Sequence, residues 1–178
     1  MIETERLRLR PWEARDRVPY AVLMDDPHIA EFLGPVVASG AQAVMDRHIG
    51  YRTSHGLGFW AVERRSDGRL LGQCGLKPGG PGTPIEDMLE IGWALGREGR
   101  GQGFAVEAAR ASLEWAWANR RESEVVAITS AINLRSRAVM ERVEMIRDED
   151  GDFDHPAVNN DSPLKRHITY RIARPVRS

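Results

Sequence analysis

Between Met88 and Asn119 the chain reads MLEIGWALGREGRGQGFAVEAARASLEWAWAN: an alternating apolar run, a glycine-rich stretch and a long helical run. No other segment constrains the fold as strongly. A strand that passes through glycines directly into a helix leaves the first N–H groups of that helix, and its positive dipole end, open to an anion. Gly99, Gly101 and Gly103 allow backbone amides to come close to a ligand. The expected occupant carries phosphate.

The rest of the chain reads as strands and helices in alternation. Arg6, Leu7, Arg8, Leu9 and Arg10 have the period of a half-buried strand with its arginines facing outward, and Pro11 ends it. From Glu13 to Phe32 the helical pattern is interrupted by Pro19 and Pro27, which predicts two short helices or turns. Ser39 is an expected N-cap for a helix to about Ser54, with Ala41, Val44, Met45, His48 and Ile49 on one face; His48 there reads as a packed core histidine. Gly58 to Arg64 and Arg69 to Leu76, around Ser66, Asp67 and Gly68, predict a hairpin. Lys77 to Pro84, KPGGPGTP, reads as a loop. The strand from Met88 to Leu95, a helix from Gly101 or Gln102 to about Asn119, and a strand from Val125 to Thr129 form a β-α-β unit with parallel strands. A last helix starts at Asn133 or its neighbour, with Ser136, Val139, Met140 and Val143 on one stripe. Asp148 to Pro163 reads as a polar, acidic loop and Ile168 to Ile172 as the final strand. Together these predict an α/β or α+β sheet with mixed strand directions.

Composition narrows the function. A chain of 178 residues, 42% hydrophobic and 29% charged, is expected to fold as one domain over 1–178. With 25 basic and 26 acidic residues the net charge is −1, so no electrostatic grip on nucleic acid or anionic lipid is expected. Lys165, Arg166, Arg171, Arg174 and Arg177 read as scattered surface charge. The single cysteine, Cys74, excludes an internal disulfide framework and reads as a free core thiol in a reducing compartment. No apolar run is long enough for a bilayer, and MIETERLRLR lacks the apolar core of a signal peptide, so a soluble cytoplasmic protein is expected. The acidic run Asp148, Glu149, Asp150, Asp152, Asp154 does not fit a calcium loop, because Gly151 falls fourth rather than sixth counting from Asp148; no metal is expected. Trp115 and Trp117 lie two apart on a helix and point to different faces, which suits packing.

Three ligands compete for the glycine loop. A nucleoside-triphosphate loop needs Lys followed by Ser or Thr at the helix start, where this chain has Phe104 and Ala105. A dinucleotide fingerprint, counted from Gly99, needs a third glycine where Phe104 stands, and is only partly matched. The third reading rests on Arg100-Gly101-Gln102-Gly103-Phe104-Ala105, which resembles the R/Q-x-x-G-x-G/A signature with which GNAT acetyltransferases hold the pyrophosphate of acetyl-CoA. LEIGWAL, from Leu89 to Leu95, resembles the strand that pairs with the pantetheine arm, and AVEAARASLEWAW the helix that closes the site. The run from Asn133 to Glu141 resembles the N-x-x-S helix of the branch containing the ribosomal-protein alanine N-acetyltransferases. ETERLRLRPW, from Glu3 to Trp12, looks like the same branch, and DFDHP, from Asp152 to Pro156, like some of its bacterial members.

This resemblance implies a three-layer α/β (α+β) fold. A central, mostly antiparallel sheet of about six to seven strands, with helices on both faces, would splay open between two parallel strands. It implies acetyl-CoA as cosubstrate, held by Arg100, Gly101, Gln102, Gly103, Phe104 and Ala105 and by the backbone of Trp93, Ala94 and Leu95. The implied activity is acetyl transfer by direct attack of a primary amine, from a protein N-terminus or a small molecule, in a monomer or homodimer. The alternative is a non-catalytic acyl-CoA-binding or regulatory domain.

Acetyl transfer needs a base for the amine, polarisation of the thioester carbonyl and a donor for the thiolate. Strand alternation places Leu89, Ile91, Trp93 and Leu95 on one face and Glu90, Gly92 and Ala94 on the other. Glu90 is the candidate base, acting through water; the other reading is a solvated or ion-paired strand carboxylate. Amides around Trp93 to Leu95 would polarise the carbonyl. Where many GNAT enzymes have a tyrosine in the last helix, this chain has Met140. Ser136 is the remaining donor and Asn133 a cofactor or water ligand; both also suit a helix cap, and the two roles can coexist. Glu144 stands where the family pattern has glycine, which predicts a strained or rebuilt turn. His155 reads as a surface loop histidine or an acceptor-site residue. Acceptor specificity is expected in Glu13 to Phe32, Pro78 to Glu86 and Asp148 to Pro163.

Overall fold

The computed structural model describes residues 1–33 and 39–176; Arg177 lies outside the described residues. Eight strands form one sheet: β1 (Ile2–Glu3), β2 (Leu7–Arg10), β3 (Gly58–Arg64), β4 (Leu70–Pro78), β5 (Leu89–Leu95), β6 (Glu124–Ser130), β7 (Ile146–Asp154) and β8 (Arg166–Ala173). Their spatial order is β1-β2-β3-β4-β5-β6-β8-β7. Every neighbouring pair is antiparallel except β5 and β6, which are parallel as the β-α-β reading requires. A largely antiparallel sheet removes the dinucleotide alternative, which needs parallel strands.

The helices are α1 (Arg17–Met24), α2 (Pro27–Leu33), α3 (Ala41–His55), α4 (Phe104–Asn119) and α5 (Leu134–Arg142), with short 3-10 turns at Ala14–Asp16 and Arg97–Gly99. They cover both faces. Phe59 and Trp60 are neighbours on β3 and so point oppositely; the Phe59 ring stacks on His48 of α3, whereas Trp60 meets Trp115 of α4 edge-on. On the α4 face, Ala108, Leu113 and Ala116 pack against Leu7, Leu9, Val62, Cys74 and Ile91 in the main core. The small alanine side chains let the helix lie close to the sheet. On the other face Tyr20, Met24, Ile29, Val44 and Met45 form a second cluster with Trp12 and Leu70.

The differences from the expected elements have local causes. Eight strands replace six or seven because β1 is only two residues long and β7 occupies the front of the expected acidic loop. The β7 residues have no apolar alternation. The strand forms because β8 pairs with its backbone, while Arg171, Arg147 and Arg166 face Asp148, Asp152 and Asp154. The two short helices expected between Glu13 and Phe32 do form, with Pro19 in the first turn of α1 and Pro27 opening α2, positions where a missing N–H costs no helical bond. Gly40, not Ser39, takes the N-cap position of α3. Lys77 and Pro78 extend β4 instead of starting a loop, pairing in register with Glu90 and Leu89.

Arg10 also departs from expectation, being 5% exposed rather than outward-facing. Its guanidinium takes both oxygens of buried Asp16 at 2.7 and 2.8 Å and one of buried Glu63 at 2.8 Å. The 3-10 turn at Ala14–Asp16 carries Asp16 over the strand and closes this network from water.

Candidate active site

The parallel strands β5 and β6 share a single register pair, Glu90 with Val126. Beyond it they part. On its other side β5 pairs with β4 along its whole length, from Leu89 with Pro78 to Leu95 with Gly72. Ile91 to Leu95, including Trp93, Ala94 and Leu95, therefore line a cleft with no strand ladder on the β6 side. Gly92 leaves room for the Phe59 ring, which reaches over β4 from β3; a Cβ there would lie 2.7 Å from the ring's tip.

The glycine loop continues from the end of β5. Helix α4 starts at Phe104, later than expected, because Gly101 and Gly103 have φ values of +72° and +78° and turn the chain before it can wind. The first helical bond runs from the Glu107 N–H to the Gly103 carbonyl at 3.0 Å. Amides of Phe104, Ala105 and Val106 thus have no partner within the helix. The signature side chains turn back into the protein. Arg100 donates to the Leu95 carbonyl at 3.2 Å and to Asp26 at 3.0 Å, and Gln102 donates to the Glu98 carbonyl at 2.9 Å. What faces outward at this junction is backbone.

At the vertex of the cleft Glu90 is buried and accepts a hydrogen bond from the Lys77 ammonium directly across from it on β4. Two histidines lie within reach of the Lys77 charge. His48, 5% exposed, accepts the Phe59 N–H at Nδ1, and burial, Lys77 and Arg47 push its pKa down to about 3. His155 is half-buried, not on the surface, with its ring 4.7 Å from that of His167 and near Phe153. Burial, with the charges of His167, Lys77 and Lys165, lowers it to about 4. Both imidazoles are neutral at pH 7.

Asn133 and Ser136 adopt the cap geometry at the start of α5. The Asn133 side chain accepts the Ser136 N–H at 3.2 Å and donates to the Ser136 hydroxyl at 3.1 Å. Met140 is buried in the main core. After the helix, Glu144 has φ +66°. Its N–H bonds the Glu141 carbonyl and the Met145 N–H bonds the Met140 carbonyl, both at 3.0 Å, which is the Schellman pattern with glutamate at the glycine position.

Two residues of this region were not visible as such in the sequence. Lys77 follows only from the β4–β5 register, which crosses a long connection and cannot be counted from composition. Ser130, at the end of β6 opposite His167, has a buried hydroxyl with no hydrogen-bond partner among the described residues, and no sequence signal marks it. No group of three or more His, Cys, Asp or Glu side chains placed to hold a metal occurs among the described residues. Among them, too, no helix is long and apolar enough to cross a membrane.

A splayed parallel pair with a glycine loop at the end of its first strand defines a class of acyl-group transferases. The family model described as "Acetyltransferase (GNAT) domain" matches residues 6–146. The chain belongs to this GNAT acetyltransferase family. The protein YkkB of Bacillus subtilis is 30% identical over 146 residues, covering 80% of this chain and 83% of that protein. Among solved structures, an acetyltransferase from Agrobacterium tumefaciens is 28% identical with a TM-score of 0.76, covering 96% of this chain and 92% of that one. The ribosomal-protein-S5-alanine acetyltransferase of Vibrio fischeri has a TM-score of 0.72 at 14% identity, covering 97% and 95%. The spermidine N-acetyltransferase of Vibrio cholerae, solved with CoA and spermine, has a TM-score of 0.74 at 14% identity, covering 96% and 97%.

Proposed function

We propose that this acetyltransferase uses acetyl-CoA and transfers its acetyl group directly to a primary amine, on a protein N-terminus or a small molecule. The observation that carries this reading is the parting of β5 from β6 after the single pair Glu90–Val126, with unpaired helix-start amides at the far end of the same strand. Bound acetyl-CoA would supply an activated thioester. Amides from Gly101 to Ala105 would hold its pyrophosphate, as the helix dipole favours, whereas the Arg100 N–H, also expected there, is taken by the Arg97 carbonyl at 3.3 Å. The backbone of Trp93 to Leu95 would pair with the pantetheine arm and polarise the carbonyl. The amine nitrogen attacks the carbonyl carbon, the C–S bond breaks, and Glu90 takes the amine proton through water. Lys77 engages one Glu90 oxygen and fixes the orientation of the carboxylate. Ser136, oriented by Asn133, would donate a hydrogen bond to the leaving thiolate in place of the missing tyrosine, and the thiolate takes its proton from water. We read the whole chain as one catalytic domain, because a single sheet runs from β1 to β8, and place it in the cytoplasm, where the buried Cys74 stays a thiol.

The test is thiol release from acetyl-CoA against a panel of primary amines, comparing wild type with Glu90→Gln. The expected result is turnover by wild type and a loss of about a hundredfold in kcat for the variant, with the acetyl-CoA KM unchanged. Equal rates would make Glu90 only the structural partner of Lys77. Binding of CoA with no thiol release from any amine would return the chain to the non-catalytic alternative.

A further inference from the structure

The loop that offers its amides to the cofactor is itself held from behind by the turn between β1 and β2. The Arg6 guanidinium donates from Nη1 to the Gln102 carbonyl at 3.0 Å. Its Cζ lies over the Phe104 ring, 4.6 Å from the centroid. The same guanidinium is clamped by Glu107 in the first turn of α4, with Nε and Nη2 at 2.7 and 2.6 Å from Oε2. The other Glu107 oxygen accepts the Arg6 N–H at 3.1 Å and the Thr4 hydroxyl. Four donors thus fill the roughly four acceptor positions of one carboxylate.

The arrangement is unusual for a surface arginine. An acidic side chain in the first turn of a helix ordinarily stabilises that helix end by facing its dipole. Glu107 faces Thr4 and Arg6 instead, and so ties the helix start to the β1–β2 turn more than a hundred residues earlier. Turning the Gln102 carbonyl toward Arg6 orients the peptide planes beside it. An arginine fork with two nitrogens on one carboxylate oxygen, and a third on a carbonyl, fixes direction as well as distance.

We propose that Thr4, Arg6 and Glu107 form a positioning unit for the cofactor loop: Arg6 holds the Gln102 peptide and Glu107 holds Arg6, so that the Gly101–Ala105 amides are set for an anion before it arrives. This rests on the reading of that loop as the pyrophosphate grip. None of the three residues touches the reacting atoms. Their effect falls on donor binding and not on the chemical step, because an anion meeting a disordered loop must order it at the cost of affinity.

The experiment compares Arg6→Gln, Glu107→Gln and Thr4→Val with wild type and with Arg17→Gln, which removes a similarly exposed arginine of α1 whose ion-pair partner is Asp46 of α3. Hydrogen exchange is read at the amides of Gly101 to Ala105 in the ligand-free protein, CoA affinity by calorimetry, and kcat and KM in the transfer assay. The expected result is faster exchange at those amides and a CoA Kd and acetyl-CoA KM raised about tenfold in Arg6→Gln and Glu107→Gln, with kcat within about twofold. Thr4→Val should show a smaller shift in the same direction, and Arg17→Gln none. The double variant Arg6→Gln/Glu107→Gln should be no worse than either single one, because the two act as a unit. Unchanged CoA affinity in Arg6→Gln, or a fall in kcat at constant KM, overturns the proposal while leaving the cofactor assignment standing. Failure of the wild-type protein to bind CoA overturns the cofactor assignment itself. Should Arg6→Gln not fold, Glu107→Gln and Thr4→Val carry the same test.

Discussion

His48 ties stability to pH in a way that can be worked out from its surroundings. The ring is 5% exposed, stacks on Phe59 at 4.3 Å between centroids, and receives the Phe59 N–H on Nδ1, so the fold accepts only neutral imidazole. Its pKa falls from 6.5 to about 3, first through burial and then through the charges of Lys77 and Arg47. The folded value lies below the unfolded one. Between the two, the unfolded chain binds a proton that the folded chain refuses, so the stabilisation is complete above pH 6.5 and is lost as pH falls toward 3. Between pH 7 and pH 5 the loss is about 2 kcal/mol, from roughly 1.4 kcal/mol per pH unit below the unfolded pKa. The perturbation is His48→Asn, whose amide oxygen can take the place of Nδ1 but does not titrate. Losing the ring lowers stability at every pH by a constant amount, which cancels in the comparison; so do the contributions of His155 and His167, present in both proteins. Denaturant unfolding at a series of pH values should show wild type losing about 2 kcal/mol more than His48→Asn from pH 7 to pH 5. In melting temperature the extra loss is about 4–8 °C for a chain of this size. Parallel stability–pH curves for the two proteins would refute the reasoning, since they would mean that His48 takes up its proton in the folded state as readily as in the unfolded one.

Glu144→Gly should stabilise the protein by about 0.5–1 kcal/mol, because removing a side chain at φ +66° recovers about 1–2 kcal/mol of left-handed strain and loses part of it to unfolded-chain entropy. A melting temperature that does not rise in calorimetry would show the turn to be relaxed with glutamate. Arg10→Met should destabilise by about 3–5 kcal/mol, since it leaves Asp16 and Glu63 buried without the guanidinium that joins them. Chemical unfolding measures it, and a loss below about 1 kcal/mol would place that network in water. The Glu90→Gln and Arg6→Gln experiments complete the set: the first should appear in kcat, the second in donor affinity.

Local periodicity carried the hairpin at β3–β4, the strand at Leu89 to Leu95, the long helix behind the glycine loop and the cap at Asn133, because each is specified by neighbours along the chain. Counting residues around Gly99 to Ala105 removed the triphosphate reading, and the antiparallel sheet then removed the dinucleotide one. Where the sequence misled, a partner distant in the chain was responsible. Arg10 alternates like the half-buried Arg8, and only the fold brings Asp16 and Glu63 over it. The acidic stretch after Asp148 has the composition of a loop, and becomes a strand because β8 supplies hydrogen bonds and arginines supply countercharge. His155 reads as a surface residue until His167 and Phe153 close around it.

By itself, then, the sequence determined most of the elements, their order and the glycine turn that leads into α4, since backbone conformation, glycine freedom and apolar period act over a few residues. Tertiary structure alone decided which charges are buried, that Lys77 faces Glu90, and that Thr4 and Arg6 brace the loop through Glu107. Those features depend on strand register and on contacts between residues many positions apart, and the energy of a charge depends on whatever surrounds it in space rather than on its neighbours in the chain.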